Sequence, residues 1–497
     1  MSRTIKILAI LAVILFCLQV YSDNKAEVDL WGNVGFVNAF PWSANFKYIN
    51  TFSFTEPLRP WVNHEWLAQY ILNFIYINFG NAGLILYKIV VGLAITGLIY
   101  IGIRLASCSG VTEFLWIILT ISTMGYGFST RPHLLTYLLY AVFLLILLRY
   151  RARGSRYIYI LPLLGIPWAN LHGAFFIGAI LIFIFLIFEI SNMKRLIPLA
   201  AVIILYIIGT FINPYGPNLW KFIFYSGMIQ RPFLSEWAPF TRLEFISEHV
   251  DFVFLCLASF LAVSFSRKPK DKAQLVVLSV FFLAAIAMRR NIPLFAITAA
   301  FIVPQYLEDT AGKAVKKMYS KFSAPLVAAG LLVFSIVSIV SALTINKSNF
   351  IEMEIPQDSF PVNAVSFMKD NGISGNAVIF FNWAEYCIWK LYPDCRVFLD
   401  GRLCCAYNVK TINDFFNFLY ARGDWQRAIR DYSADIVLIH RGNPAYAKML
   451  TMPGWTNIYN DRIAGLFLKK MAHEAFILRL QKGDVKYPQL KENEYFP

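Results

Sequence analysis

Apolar and polar positions along this chain alternate on a long scale, with extended apolar runs joined by short polar segments. The runs cover 5–21, 82–104, 111–127, 131–149, 156–171, 173–190, 195–212, 250–266, 273–288, 291–308 and 323–344. Each approaches the roughly 20 residues that a helix needs to cross a bilayer, so the pattern predicts about eleven transmembrane helices. Near residue 346 the pattern changes. Beyond it, the runs AVIFF (377–381), RVFLD (396–400) and DIVLIH (435–440) alternate with helical periodicity at 361–370, 383–391, 411–421 and 425–431. Strands interleaved with helices predict a small α/β domain. The expected organisation is a mainly α polytopic membrane domain over 1–345, with a long first loop at 22–81, followed by an α/β domain over 346–497.

Composition agrees with this division. The chain is 58% hydrophobic and 15% charged, with a mean hydropathy of +0.55, whereas a soluble globule carries about 25% charge. The net charge of +15 does not point to nucleic acid. The basic residues collect in RYRARGSR (149–156), NMKR (192–195), SRKPKDK (266–272) and KAVKKMYSK (313–321), the joints that the positive-inside rule expects to find in the cytoplasm. The opening MSRTIKILAILAVILFCLQV has a positive start and an apolar core with no small-residue cleavage pattern after it, and reads as an uncleaved signal anchor. Seven cysteines show no metal or disulfide-framework spacing. Cys387, Cys395 and the adjacent Cys404 and Cys405 leave a disulfide in the C-terminal part open.

Charge also fixes an orientation. With Arg3 and Lys6 inside and the spans alternating, every basic cluster falls in the cytoplasm only if 66–80 (WLAQYILNFIYINFG) is not a full span. That segment is therefore expected to be an interfacial or re-entrant helix with its aromatic residues at headgroup depth. The same alternation places the α/β domain outside the plasma (inner) membrane. It also places outside the loop 23–66, Arg131-Pro132-His133, Asn170-Leu171-His172-Gly173, Asn213-Pro214-Tyr215-Gly216, Ser235-Glu236-Trp237 and Arg289-Arg290-Asn291.

These outer polar groups are the chemical candidates. Asp29 and Glu65, set among aromatic residues near lipid, suit a general base; equally, Asp29 caps a short helix and Glu65 opens the next one. Arg131, His133, Arg289 and Arg290 stand at outer helix ends and suit a phosphate or pyrophosphate, or else reach for lipid headgroups. His172 is an ionisable group at membrane depth that serves either substrate or a tertiary hydrogen bond. Asn213 and Tyr215 belong to a turn that either only closes a helix or also touches substrate. Glu236 with Trp237 has the composition of a sugar-binding pair. Trp383, Tyr386, Trp389 and Tyr392 fall on one helix face and suit a core more than a carbohydrate platform, and Asp400-Gly401 suits a turn. The chain has no GxxxxGK[ST], GxGxxG before a helix, HExxH or Ser-His-Asp signature, so no nucleotide-driven engine is expected.

Taken together, Asp29-Leu30-Trp31-Gly32, Phe52-Ser53-Phe54-Thr55, Pro60-Trp61-Val62-Asn63-His64-Glu65-Trp66-Leu67, Arg131-Pro132-His133, Asn170-Leu171-His172-Gly173 and Asn213-Pro214-Tyr215-Gly216 resemble a group of bacterial multi-span proteins. That group is related to the GT-C glycosyltransferases, the superfamily of protein O-mannosyltransferases, oligosaccharyltransferases and lipid A aminoarabinose transferases. The run from Glu385-Tyr386-Cys387-Ile388-Trp389 to Arg396-Val397-Phe398-Leu399-Asp400-Gly401-Arg402 is similar to the outer domain of the same group. The resemblance implies a GT-C-like fold, a sugar donor on a polyprenyl phosphate or pyrophosphate, and an acidic residue of the first outer loop as catalytic base or metal ligand. Asp29 matches that acid by its place after the first span. Asn33 stands where relatives commonly carry His, and the paired acid of the wider superfamily is absent, so the metal set stays unknown, with a divalent cation left open.

The function expected is transfer of a sugar from a polyprenyl-phosphate-type lipid donor to an acceptor on the outer face of the membrane. Asp29 would be the base and Glu65 with His64 a second base or orienting pair. Arg289, Arg290 and Arg131 would stabilise the departing phosphate. The expected partners are membrane lipid, the polyprenyl-linked donor and an acceptor the sequence does not identify, with no nucleic acid. The alternatives are a transporter or lipid flippase, or a polymerase or non-catalytic component of surface polysaccharide assembly.

Overall fold

A computed structural model describes residues 2–39, 49–57, 59–106, 108, 110–229, 231, 233–241, 243–347, 349–488 and 494–496. The 40–48 stretch of the first loop lies outside the described residues. The protein is mostly helical, with one small sheet near the C-terminus.

Each apolar run of the sequence coincides with a helix. In chain order these are Arg3–Tyr21, Trp66–Leu105, Gly110–Gly125, His133–Arg153, Leu161–Leu171, Phe176–Ile187, Met193–Gly209, Val250–Phe265, Lys272–Ala287, Ile292–Ile302 and Ala324–Ile345. Four of them, Arg3–Tyr21, Trp66–Leu105, His133–Arg153 and Ala324–Ile345, are long and apolar enough to cross a membrane. Ala324–Ile345 turns Leu332, Val333, Ile336, Val337 and Val340 outward. Contiguous apolar surface of that kind would be unfavourable in water and suits lipid.

Trp66–Leu105 is 40 residues long and breaks at Gly80, whose backbone (φ 58°, ψ −153°) is not helical. A side chain at that conformation would meet the backbone, so glycine is the residue that allows the break. The interruption falls where the segment 66–80 ends and the following apolar run begins. At the far end of His133–Arg153, Gly154 closes the helix in the left-handed conformation (φ 68°), its amide donating to the Tyr150 carbonyl.

The chain forms two compact units. One comprises Met1–Asn24, Ala82–Ile223 and Gly227–Ile351; the other comprises Lys25–Asn81, Phe224–Ser226 and Glu352–Pro497. The first loop is thus grouped with the C-terminal residues.

The second unit is built on a five-stranded sheet. Strands β1 (Gly375–Ile379), β2 (Cys395–Val397), β3 (Ile436–His440), β4 (Trp455–Asn460) and β5 (Ala464–Lys469) lie in the order β2-β1-β3-β5-β4. The first three are parallel, and β5 and β4 are antiparallel to their neighbours. Helices Val362–Asp370, Ala384–Leu391, Val409–Leu419 and Arg427–Arg430 follow the periodicities read from the sequence. β4 and β5 were not foreseen. β5 is fully apolar up to its last residue but is made of Ala, Gly, Leu and Phe, without the β-branched residues that mark a strand.

The first loop extends the sheet. Ser53 pairs in parallel with Val397 of β2, the Val397 amide donating to the Phe52 carbonyl (3.0 Å) and the Phe54 amide to the Val397 carbonyl (3.2 Å). Trp31, on the short helix Leu30–Ala39, packs its ring against Tyr386 (4.8 Å between centroids), Phe496 (4.7 Å) and Trp389 (6.2 Å). Of the aromatic residues in the 383–392 segment, Trp383 and Tyr386 are fully buried in the core, whereas Trp389 and Tyr392 are half-buried. All seven cysteines are free thiols, so the C-terminal disulfide is not formed.

Candidate functional site

The sequence candidates fall into two polar centres, one inside each unit. In the sheet-bearing unit, Asp29 stands immediately before helix Leu30–Ala39, and its carbonyl accepts the Asn33 amide (3.0 Å). The partner that the sequence did not single out is Glu385, in the first turn of helix Ala384–Leu391 and 6% exposed. Its Oε2 accepts the Gly32 amide at 3.0 Å, taking up one of the amides that a helix start leaves unbonded. Two glycines make room for this carboxyl. A Cβ on Gly32 would lie 2.3 Å from Oε2, and a Cβ on Gly401 would lie 2.4 Å from Oε1 and 3.7 Å from an Asp29 carboxylate oxygen. Asp29 and Glu385 therefore both border the space that a side chain at Gly401 would fill.

Burial, then the Asp29 and Asp400 carboxylates beside it, push the Glu385 carboxyl well above the usual carboxylate range. Burial and the neighbouring carboxylates thus bias Glu385 towards its protonated form beside Asp29. Asp400, which is fully buried, is neutralised differently. Arg402 grips it twice, Nε to Oδ1 (2.8 Å) and Nη2 to Oδ2 (2.6 Å), and the Tyr407 hydroxyl donates to Oδ2 (2.6 Å). The Arg402 guanidinium sits among the rings of Trp61 (4.7 Å), Phe36 (4.9 Å) and Phe52 (5.1 Å) and donates to Asn50 Oδ1 (2.8 Å). The Asp400-Gly401-Arg402 run is thus a turn, as expected, and also the charged wall behind Glu385.

His64 and Glu65 pair with each other at 3.6 Å, and the His64 ring reaches Cys405 Sγ at 3.8 Å. Glu65 stands directly before helix Trp66–Leu105, and its carbonyl accepts the Gln69 amide (3.0 Å), the position its helix-opening reading implies. Glu56 also has a structural place: it accepts the Thr411 hydroxyl (2.8 Å) at the start of helix Val409–Leu419 and pairs with Arg59 (3.3 Å).

In the helical unit, Arg131, His133, His172, Glu236, Arg289 and Arg290 gather at one end of the helices. His133 begins His133–Arg153, His172 precedes Phe176–Ile187, and the arginine pair follows Lys272–Ala287. Glu236 is the hub: Arg131 Nη1 lies 3.2 Å and Arg290 Nη1 3.9 Å from its two oxygens. Burial would raise the Glu236 carboxyl, but Arg290 and Arg131 outweigh it and hold it below its usual range. Trp237 lies between two guanidiniums, Arg231 (4.0 Å) and Arg290 (4.5 Å) from its ring. His133 bonds the Gly127 carbonyl (2.8 Å), and its ring centre is 6.3 Å from that of His172.

Three candidates of this unit make structural hydrogen bonds. His172 Nδ1 accepts the Ala174 amide (3.3 Å) and meets the Thr136 hydroxyl (3.0 Å), which itself accepts from Trp168 (2.9 Å). Arg289 is buried, bonded to Glu248 (3.0 Å) and the Ser235 carbonyl (3.2 Å) and stacked on Phe245 (3.5 Å), so it ties the 231–249 loop down. Asn213 holds its own turn, accepting the Tyr215 amide (2.7 Å) and donating to the Thr210 carbonyl (2.7 Å), with Gly216 at φ 55°.

Glu385 is the residue that sequence reading passed over. Its signal was a lone carboxylate inside an aromatic, apolar helix, NWAEYCIW, where an ionised group would have no solvent. Among the described residues, no group of three or more His, Cys, Asp or Glu side chains is arranged to hold a metal ion. The sequence matches no protein-family model, and no curated protein is similar to it at a significant level.

Proposed function

We propose that this chain is an integral membrane glycosyltransferase of GT-C type, with about eleven spans and its α/β unit outside the plasma membrane, which moves a sugar from a polyprenyl-phosphate-type donor to an acceptor hydroxyl. The observation that carries this reading is Asp29 set beside the buried Glu385 carboxyl, which burial and Asp29 push well above its usual range. A carboxylate that can reach an acceptor hydroxyl can take its proton.

In the reaction, Asp29 takes the acceptor's hydroxyl proton while the acceptor oxygen attacks the anomeric carbon. The bond from that carbon to the phosphate oxygen breaks, its electron pair leaves with the polyprenyl phosphate, and the configuration inverts. Glu385, whose carboxyl burial biases towards the neutral form, limits the negative charge around Asp29. In the helical unit, Arg131 and Arg290 flank Glu236, and guanidinium groups are of the kind that bind a lipid-linked phosphate. Asp29 is preferred to Glu65 because Glu65 is engaged with His64 at the start of a helix. No nucleotide enters, since the phosphate leaving group supplies the driving force.

The test is turnover of donor. Purified full chain is incubated with a panel of synthetic polyprenyl-phosphate sugars and polyol or glycan acceptors, and the released polyprenyl phosphate is measured by mass spectrometry. Release with any donor supports transfer. Movement of intact donor across a proteoliposome membrane without bond cleavage would support a flippase instead.

A further inference from the structure

At the end of the helical unit away from Arg131 and Arg290, there is a cavity of about 580 Å³ whose lining includes Arg151, Lys270, Asp271, Lys272, Gln274 and Gln305. Four apolar helices contribute their ends. Arg151 lies in the last turn of His133–Arg153, Phe188 follows Phe176–Ile187, Asp271 caps Lys272–Ala287, and Gln305 comes just after Ile292–Ile302. The volume falls in the range of small-ligand sites, roughly 300 to 1,000 Å³.

The wall is rigid and its charge is unbalanced. Arg151 is fixed by Asp271 (Nε to Oδ2, 2.8 Å) and by Glu189 (Nη1 to Oε1, 2.6 Å), so its charge is matched. Asp271 is occupied a second time, its Oδ1 accepting the Gln274 amide (3.2 Å) that opens the next helix. Gln305 donates to Gln274 (2.9 Å), which joins two of the helix ends across the cavity. The charge left in excess belongs to Lys270 and Lys272, both solvent-exposed at the rim. Lys270 is positioned by the Ser266 carbonyl and by the Tyr306 ring, whose centre is 5.9 Å from Nζ. Phe188 and Pro269 supply an apolar side.

Two exposed ammonium groups over a partly apolar cup at the start of a helix match a phosphate ester, because lysine binds phosphate as a point charge and the helix start adds amide dipoles. We propose that this cavity binds a phosphate ester, either a phospholipid headgroup or a soluble phosphate compound, through Lys270 and Lys272. The site is separate from the glycosyl-transfer chemistry and stands or falls without it. Its rim is formed by two of the basic clusters of the sequence, RYRARGSR and SRKPKDK, where anionic headgroups concentrate if the helices span a membrane.

The experiment measures equilibrium binding of dihexanoyl phosphatidylglycerol, dihexanoyl phosphatidylcholine and inorganic phosphate to the detergent-solubilised full chain. The variants are Lys270→Gln/Lys272→Gln and a control, Lys317→Gln/Lys321→Gln, at exposed lysines that do not line the cavity. All four lysines are exposed, so both variants keep the fold. Saturable phosphatidylglycerol binding is expected, weakened about 5-fold by each cavity lysine lost and on the order of 25-fold by both. The control leaves it unchanged. Phosphatidylglycerol that resists competing inorganic phosphate identifies a lipid headgroup; displacement by phosphate identifies a soluble ester, and either result supports the site. The proposal is overturned if neither probe saturates, if phosphatidylcholine binds as well as phosphatidylglycerol, or if the control variant weakens binding as much as the cavity variant.

Discussion

Replacing Glu385 by Gln should stabilise the sheet-bearing unit at neutral pH and flatten its response to pH. In an unfolded chain a glutamate ionises near pH 4.3. In the folded protein Glu385 keeps its proton well above that, chiefly through burial and then through Asp29 and Asp400. Between those two values the folded state binds more protons than the unfolded one, so wild-type stability falls as pH rises, by up to about 1.4 kcal/mol per pH unit from this group. Below the unfolded value both states are protonated and the loss disappears. Glutamine preserves the shape, its oxygen can accept the Gly32 amide as Oε2 does at 3.0 Å, and it has no proton to release. Thermal unfolding of the full chain in detergent between pH 4 and 8, followed by tryptophan fluorescence, should show coincident midpoints for the two proteins at the acid end. The gap should then widen in favour of Glu385→Gln, by roughly 2 to 4 °C per kcal/mol for a unit of this size. Parallel curves across the whole range would refute the claim that Glu385 is neutral when folded.

Three further predictions follow the same geometry. Gly32→Ala puts a methyl 2.3 Å from Glu385 Oε2 and should destabilise the unit by about 1 to 3 kcal/mol, read as a lower midpoint in the same assay; an unchanged midpoint would show the carboxyl is not held there. Arg402→Met leaves the fully buried Asp400 without its counter-ion and should destabilise by about 3 to 5 kcal/mol, with Asp400→Asn in the same chain restoring part of the loss. Arg131→Gln and Arg290→Gln should each raise the KM for the lipid-linked donor by roughly 10-fold or more, the scale of a hydrogen bond to a charged group, while Lys317→Gln leaves it unchanged.

Much of the fold was legible because the forces that shape it act locally. Long apolar runs favour helices, and each of the eleven runs coincides with a helix, four of them long and apolar enough to cross a membrane. The alternation of AVIFF, RVFLD and DIVLIH with helical periods located three of the five strands, whereas β5 carries no β-branched residue and β4 interrupts its Thr, Ile and aromatic residues with two asparagines. The candidate site was half legible. Asp29 and the Arg131, Glu236 and Arg290 group stand out as polar residues in apolar surroundings. Glu385 acquires its meaning from Gly32 and Gly401, which are distant from it or separated from it by a strand, and only the folded chain shows that the two glycines clear space for one carboxyl. For His172, Arg289 and Asn213, the sequence left a structural and a functional reading open, and the hydrogen bonds of each describe a structural role.

The central claim is that Asp29 is the base of a glycosyl transfer, and the direct measurement is the rate of polyprenyl phosphate release by Asp29→Asn beside the wild type, with the donor that the wild type turns over. Asparagine keeps the size of the side chain and cannot take the acceptor's proton, so the account predicts a rate lower by about 10² to 10⁴, with thermal midpoint and donor binding preserved. Release at the wild-type rate by a folded Asp29→Asn protein would contradict it.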